Sequence, residues 1–374
     1  MKKIIEAYHT LLDVPPDERT IDVHVIIAAL ATTLGHFTDA DHALNAAEAL
    51  DPSHIEVNTE RARWNVEVGD IQNAIVLAES ILQRDPNHTG AATVLLDGLF
   101  RNGEFSEVIK RYRAMPPLNS LDMAVIASRS FLRTENVPDA VSTLDACLTP
   151  DSESVDAHFL RSQLAFLSQD PTRAVIELER ACTLDPTFMD GINQLIHSYI
   201  ELDRWADALP WVQILISRNP EDPEQHFRAA LVYEGLGQTT NAISAIDAAI
   251  QVAPHDVELH CAKANFYSRS GEPNRAIALL KPLVTAHPQH QVVFQALGVA
   301  FQYQERWEDA IKAFKKSIAL GGPDAAISAA IGTAYLAMGH RGPATEAFKQ
   351  SAEWGGGPEF ERAVDIINRT RPAE

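Results

Sequence analysis

The 374-residue sequence predicts an all-α solenoid of about ten helix-turn-helix units, closed at each end by a single helix. Three observations predict it. An alanine series returns every 34 residues, a second series of mostly small residues runs twelve positions ahead of it, and prolines and glycines punctuate both at fixed offsets. No stretch alternates β-branched and polar residues as a half-buried strand would.

The first series is Ala174, Ala208, Ala242, Ala276, Ala310 and Ala344, continued upstream through Ala140, Val108, Ala74 and Ala40 with one step of 32. The second is Ala28, Ala62, Leu96, Ser128, Ser162, Ile196, Ala230, Ala264, Gly298 and Gly332. Pro52, Pro86, Pro186, Pro220, Pro254 and Pro288 close apolar periodic runs, most of them after Asp or Asn, and so mark helix ends. Between the two series, "TLGHF", "EVGDI", "RNGEF", "GLGQT", "RSGEP" and "AMGHR" supply a glycine that can take positive φ and end a helix.

In chain order, "KKIIEAYHTLL" within residues 1–20 reads as an N-terminal capping helix. Residues 21–118 hold the first units. The unit beginning at Thr89 stops early at "RAMPPLNS", which predicts a short second helix and a bend near Pro116 and Pro117. Residues 119–356 carry the remaining units, with Pro210 and Pro282 placed to kink second helices. "PEFERAVDIINRT", within 357–374, reads as a C-terminal cap, which a solenoid needs to stay soluble.

A 34-residue helix-turn-helix period resembles the tetratricopeptide repeat. Residues 291–323 carry the likeness in Phe294, Leu297, Gly298 and Phe301 on the first helix and Trp307, Ala310, Phe314 and Ile318 on the second. Residues 325–356 repeat it through Ile331, Gly332, Tyr335, Gly339, Ala344 and Phe348, while Ala31 and Asn65 depart from the aromatic held later by Tyr199, Tyr233 and Tyr267. The resemblance implies a right-handed superhelix whose first helices line a concave groove. Physically, one two-helix unit cannot bury its apolar face alone, whereas stacked units make a continuous core.

Charge and motifs limit the function. With 31 basic and 51 acidic residues the chain carries −20, which disfavours nucleic acid and anionic membrane surfaces and favours basic or neutral protein partners. Cys147, Cys182 and Cys261 are too few and scattered for a disulfide framework and read as free thiols packed in or near the core. There is no phosphate loop, nucleophile elbow or zinc-protease motif, and His287 and His290 read as a solvated turn rather than metal ligands. The expectation is a non-enzymatic cytoplasmic protein with no cofactor, no metal and no membrane-inserted segment.

Function then falls to the groove that the resemblance implies. Its early part offers Asp22, Glu56, Glu60, Glu67 and Asp97, interrupted by Arg63. The candidate peptide-binding set is Arg129, Arg133, Phe159, Gln163, Asn193, Gln194, His197, Phe227, Asn265, Arg269 and Gln302. Asn and Gln both donate and accept hydrogen bonds, so a column of them can hold a peptide backbone without reading its sequence. Matched Lys, Arg and Asn residues for a C-terminal carboxylate cannot be placed. The expected role is an adaptor that binds an extended peptide or helix of a partner, with self-association into a scaffold, or service as an enzyme's regulatory subunit, as alternatives.

Overall fold

The structure, a computed structural model, describes residues 2–118, 120–357 and 363. A helix α1 (Lys2–Leu12) precedes ten hairpins: α2 (Ile21–Thr33) with α3 (Phe37–Leu50), α4 (Ile55–Val68) with α5 (Ile71–Arg84), α6 (Thr89–Arg101) with α7 (Phe105–Ala114), α8 (Leu121–Arg133) with α9 (Val137–Asp145), α10 (Val155–Leu167) with α11 (Pro171–Leu184), α12 (Met189–Glu201) with α13 (Trp205–Arg218), α14 (Pro223–Gly235) with α15 (Thr239–Val252), α16 (Val257–Arg269) with α17 (Pro273–Ala286), α18 (Gln291–Tyr303) with α19 (Trp307–Gly321), and α20 (Ala325–Ala337) with α21 (Arg341–Glu353). The first helix of each hairpin is called A and the second B. No strand occurs among the described residues. The chain is an all-helical solenoid, in two compact units, Met1–Leu195 and Ile196–Glu374, whose boundary falls within α12.

The alanine series explains itself in the packing. Ala40, Ala74, Ala140, Ala174, Ala208, Ala276, Ala310 and Ala344 have no exposed surface and stand on the packed face of each B helix. At the partner position in the ninth hairpin, a Cβ built on Gly298 would lie 2.5 Å from Cδ1 and Cε1 of Phe314, a ring that is itself 1% exposed. Gly332 and Phe348 repeat the arrangement with a closest approach of 2.9 Å. Small residues are therefore required where a B-helix ring lies on the A-helix backbone.

The turn inside each hairpin holds one residue in the left-handed region. Glycine fills it at Gly35, Gly69, Gly103, Gly237, Gly271 and Gly339. The same register elsewhere falls on Glu135, Gln169, Asp203 and Glu305, with φ between 55° and 59°, at a cost of about 1–2 kcal/mol per non-glycine residue. Between hairpins, the Asp-Pro pairs form Asx turns: Asp51 Oδ1 accepts from Ser53 N at 2.8 Å, Asp85 Oδ1 from Asn87 N at 3.0 Å, and Asp185 Oδ1 from Thr187 N at 2.8 Å. Side chains of Thr20, Ser120, Ser154, Asp222, Asp256 and Asp324 cap the A helices that follow them.

In the first unit α1 covers the first hairpin through Tyr8, 2% exposed, whose hydroxyl donates to Asp39 Oδ2 at 2.9 Å. Burial, then that bond, push the Tyr8 pKa up to about 12. The third hairpin has the short B helix that "RAMPPLNS" predicts, α7 being 10 residues long. The fourth has a shorter one that the spacing conceals, α9 with 9 residues, although Ala140 to Ala174 still spans 34. In the second unit Pro282 lies inside α17, and Pro210 lies inside α13. The expected C-terminal cap lies outside the described residues apart from Gly357 and Ala363; Ala363 packs on the cluster of Ala329, Ala344 and Phe348.

Candidate functional site

Each A helix leaves one stripe that no neighbouring helix covers. On α10, Ala157, His158, Leu160, Arg161, Leu164 and Ala165 are buried, whereas Asp156, Gln163 and Leu167 are exposed and Phe159 is half-buried. That spacing of three and four residues puts the uncovered side chains on one face. At the repeat step of 34, Arg129, Arg133, Asn193, His197, Phe227, Asn265 and Arg269 share the register of Phe159, Gln163 and Leu167, whereas Gln194 and Gln302 fall beside it.

In the first unit, Arg129 reaches across from α8 to Asp156 of α10 at 3.4 Å, and Arg133 is exposed one turn further on. Phe159 stands edge-on to Phe188 with ring centroids 4.9 Å apart. Gln163 is exposed one turn from Leu167, which is 57% exposed and which the sequence reading did not single out. Asn193 and Gln194 are half-buried on α12; Gln194 is engaged, while Asn193 Oδ1 is buried with no hydrogen-bond partner.

The acidic early stripe is neutralised only in part. Glu60 pairs with Arg63, and Arg101 reaches Glu67 at 2.6 Å and Asp97 at 3.1 Å. His88 lies 3.4 Å from Glu56 through Nε2 while its Nδ1 accepts from Ala91 N and caps α6. Burial outweighs Arg63 and holds the Glu60 carboxyl above the ordinary range.

In the second unit, His197 is exposed and lies 3.2 Å from Glu201 on its own helix. Phe227 is half-buried against the cluster of Ala230, Ile246 and Phe266. Arg269 donates to Glu234 Oε1 across neighbouring A helices at 2.8 Å. Asn265, between them in register, keeps a buried Oδ1 with no partner. Gln302 is half-buried beside Tyr303, which is 50% exposed.

Sequence models of the tetratricopeptide repeat match residues 127–187, 193–257 and 235–298, over hairpins whose turn geometry and small-residue register have just been described. The chain is a tetratricopeptide-repeat protein. A solved tetratricopeptide-repeat protein from Parabacteroides merdae ATCC 43184 is 17% identical with a TM-score of 0.56, covering 66% of this chain and 98% of its own. At that identity the likeness shows the fold. MamA from Desulfovibrio magneticus RS-1, from its residue 41 to the end, is 19% identical over 46% of this chain and 95% of that one, but its TM-score of 0.35 carries no argument. No curated protein matches the sequence.

A protein-interaction or scaffold role follows from the repeat family. Among the described residues no helix is long and apolar enough to cross a membrane, and no three His, Cys, Asp or Glu side chains are grouped as metal ligands. His287 and His290 stand edge-on with ring centroids 6.3 Å apart, and His290 Nδ1 is buried without a partner at the start of α18. Cys182 and Cys261 are buried free thiols in this tetratricopeptide-repeat protein, and burial pushes both pKa values up to about 12; Cys147 is half-buried.

Sequence reasoning missed a second set of contacts that order the repeats. Arg161, 4% exposed, donates to both Asp145 oxygens at 2.6 and 3.1 Å. Lys263 pairs with Asp247, and Arg61 with Asp41 and Glu48. Each cation on an A helix meets an acid on the preceding B helix. A separation of 16 residues, shared by the Arg161 and Lys263 pairs and by Arg61 with Asn45, is the signal that could have found them.

Proposed function

We propose that the protein is a non-enzymatic adaptor that holds an extended segment of a partner protein along the uncovered stripes of its A helices. The observation that carries the reading is the buried, unpartnered amide oxygen of Asn265, on the stripe register that half-buried Phe227 and exposed Tyr303 hold on the neighbouring A helices. A desolvated acceptor left unpaired costs about 1–3 kcal/mol, which a peptide N–H would recover. Asn193 Oδ1 offers the same chemistry within the first unit.

The partner's charge follows from the pairing. Arg63 and Arg101 offset two of the five early carboxylates, Asp22, Glu56, Glu60, Glu67 and Asp97, so the early stripe stays acidic and the reading favours a neutral or basic segment over an acidic one, with binding that weakens with salt where the segment is basic. The unpaired thiols suit a reducing, cytoplasmic compartment.

Peptides selected from a displayed random library on the full chain provide the test. Calorimetric affinity for a selected peptide is expected to fall about tenfold in Asn265→Ala and in Tyr303→Ala, each lost contact removing roughly 1–1.5 kcal/mol. Equal affinity for the wild type and both cooperatively melting variants would remove the stripe as the site.

A further inference from the structure

A second site lies on the far side of the fifth hairpin, away from the A-helix stripes. The fourth hairpin loses its last B-helix turn: Leu148, Thr149 and Pro150 form a connection, whereas the equivalent Leu82, Gln83 and Arg84 of the second hairpin are helical in α5. The connection is held by its own bonds, Ser152 N to Thr149 O at 3.0 Å and Thr149 N to Ser152 Oγ at 3.0 Å. Where the missing turn would lie against α11, a cleft of about 350 Å³ remains.

Its walls are chemically uneven. Leu148, Pro150 and Ile176 make an apolar side, and Ile176 is 56% exposed there. Arg173 and Arg180 flank Ile176 on the same face of α11, with His158 also in the wall. The acidic groups of the cleft are committed: Glu177 Oε2 lies 2.7 Å from His158 Nδ1 and its other oxygen 3.8 Å from Arg173, and Glu179 is also engaged. His158 Nε2 meets Ser152 O at 3.0 Å. The unmatched group is Arg180 Nε, buried from water with no hydrogen-bond acceptor.

We propose that this cleft binds a small organic monocarboxylate, its apolar body on Ile176, Leu148 and Pro150 and its carboxylate on the half-buried Arg180 guanidinium, with Arg173 alongside. A buried guanidinium N–H calls for an acceptor, and an ionised one gives the stronger, planar-matched bond. Arg173 is paired with Asp145 at 3.3 Å and lies 3.8 Å from Glu177, so Arg180 is left to match a single negative charge, which disfavours phosphates and dicarboxylates. The volume falls at the small end of ligand pockets. A chain of −20 repels an acidic protein in proportion to that protein's charge, so a monoanion is the anion least opposed. This site is independent of the peptide stripe.

Ligand-observed NMR titration of the full chain with 4-methylpentanoate tests the assignment, beside its uncharged amide and a capped Asp-Leu dipeptide. The acid is expected to bind at least about tenfold more tightly than the amide, and to weaken about tenfold in Arg180→Gln. Ile176→Ser, at an exposed position that the fold does not need, should weaken both acid and amide. Acid and amide binding alike, no saturable binding of the acid, or affinity unchanged in Arg180→Gln would overturn the proposal. Tighter binding of the dipeptide than of the free acid would overturn the small-molecule assignment. Arg180→Gln is scored alongside its thermal melt, and if it unfolds, the acid-to-amide ratio on the wild type and on Ile176→Ser decides.

Discussion

Replacing Gly298 by Ala sets two effects of known sign against each other. In open helix the change should stabilise by about 0.8–1.0 kcal/mol, the propensity gap between the two residues. At position 298, however, the new methyl would sit 2.5 Å from two carbons of the Phe314 ring. That ring is 1% exposed and has no solvent side to move into, so relief needs a shift of α18 from α19, an overpacking cost of about 1–3 kcal/mol. The net expectation is destabilisation of up to about 2 kcal/mol. Gly342 supplies the control: it lies in the first turn of α21, has no positive φ, and a Cβ there meets nothing within 4 Å. Gly342→Ala should therefore be neutral or stabilising by up to about 1 kcal/mol. Urea unfolding followed by circular dichroism, with midpoints compared at equal slope, reads both. Adding Phe314→Leu to Gly298→Ala should cost less than the sum of the single changes, because the clash disappears with the ring. If Gly298→Ala stabilises as much as Gly342→Ala, close helix approach is not why small residues recur at this register.

The left-handed turn residues predict gains: Glu135→Gly and Glu305→Gly should each stabilise by roughly 1 kcal/mol in the same assay, and a loss in both would refute the strain assigned to that turn. The Arg161–Asp145 pair predicts an asymmetry. Asp145→Ala strands a nearly buried guanidinium and should cost about 3 kcal/mol or more, whereas Arg161→Met leaves Asp145 partly exposed and beside Arg173, and should cost clearly less. Glu60, with its folded pKa raised, gives stability that is fully present below its unfolded pKa of about 4.3 and is lost as pH rises through the folded value. Glu60→Gln should thus stabilise relative to wild type at neutral pH, with the difference shrinking toward pH 4; a difference that grows on acidification would reverse the assignment. His24 runs the other way: burial lowers its pKa, so wild-type stability falls as pH drops below about 6.5, and His24→Gln should flatten that part of the melting profile.

The hairpin architecture was legible in the sequence because it rests on residues whose size or backbone freedom is obligatory. An alanine at the crossing of two helices, a glycine at a left-handed turn and an Asp-Pro at a helix end each leave a mark at a fixed offset. Where the chain meets the same demand in another way, the mark vanishes while the geometry stays. Glu135, Gln169, Asp203 and Glu305 occupy the turn that glycine announces elsewhere, and only their φ values reveal it. The early end of α9 was hidden by the opposite effect. The connection through Thr149 and Pro150 uses as many residues as the lost helical turn, so the spacing persists where the helix does not.

The site was less legible because the charges on a solenoid are paired across repeats, and composition counts them as free. Glu67 and Asp97 look like an acidic surface until Arg101 is placed between them, 34 residues after Glu67 and 4 after Asp97. Yet the period that announces the fold also says which side chains meet. A-helix neighbours lie 34 or 35 residues apart, as in Arg101 with Glu67 and Arg269 with Glu234, and a B-helix acid meets the next A-helix cation at 16, as in Asp145 with Arg161 and Asp247 with Lys263. Subtracting those pairs from the charge pattern leaves the groups with no repeat partner. Asn265 Oδ1 on the A-helix stripe and Arg180 Nε in the cleft beside α11 are buried polar atoms of that kind, and each marks a place where the chain has desolvated a group without satisfying it.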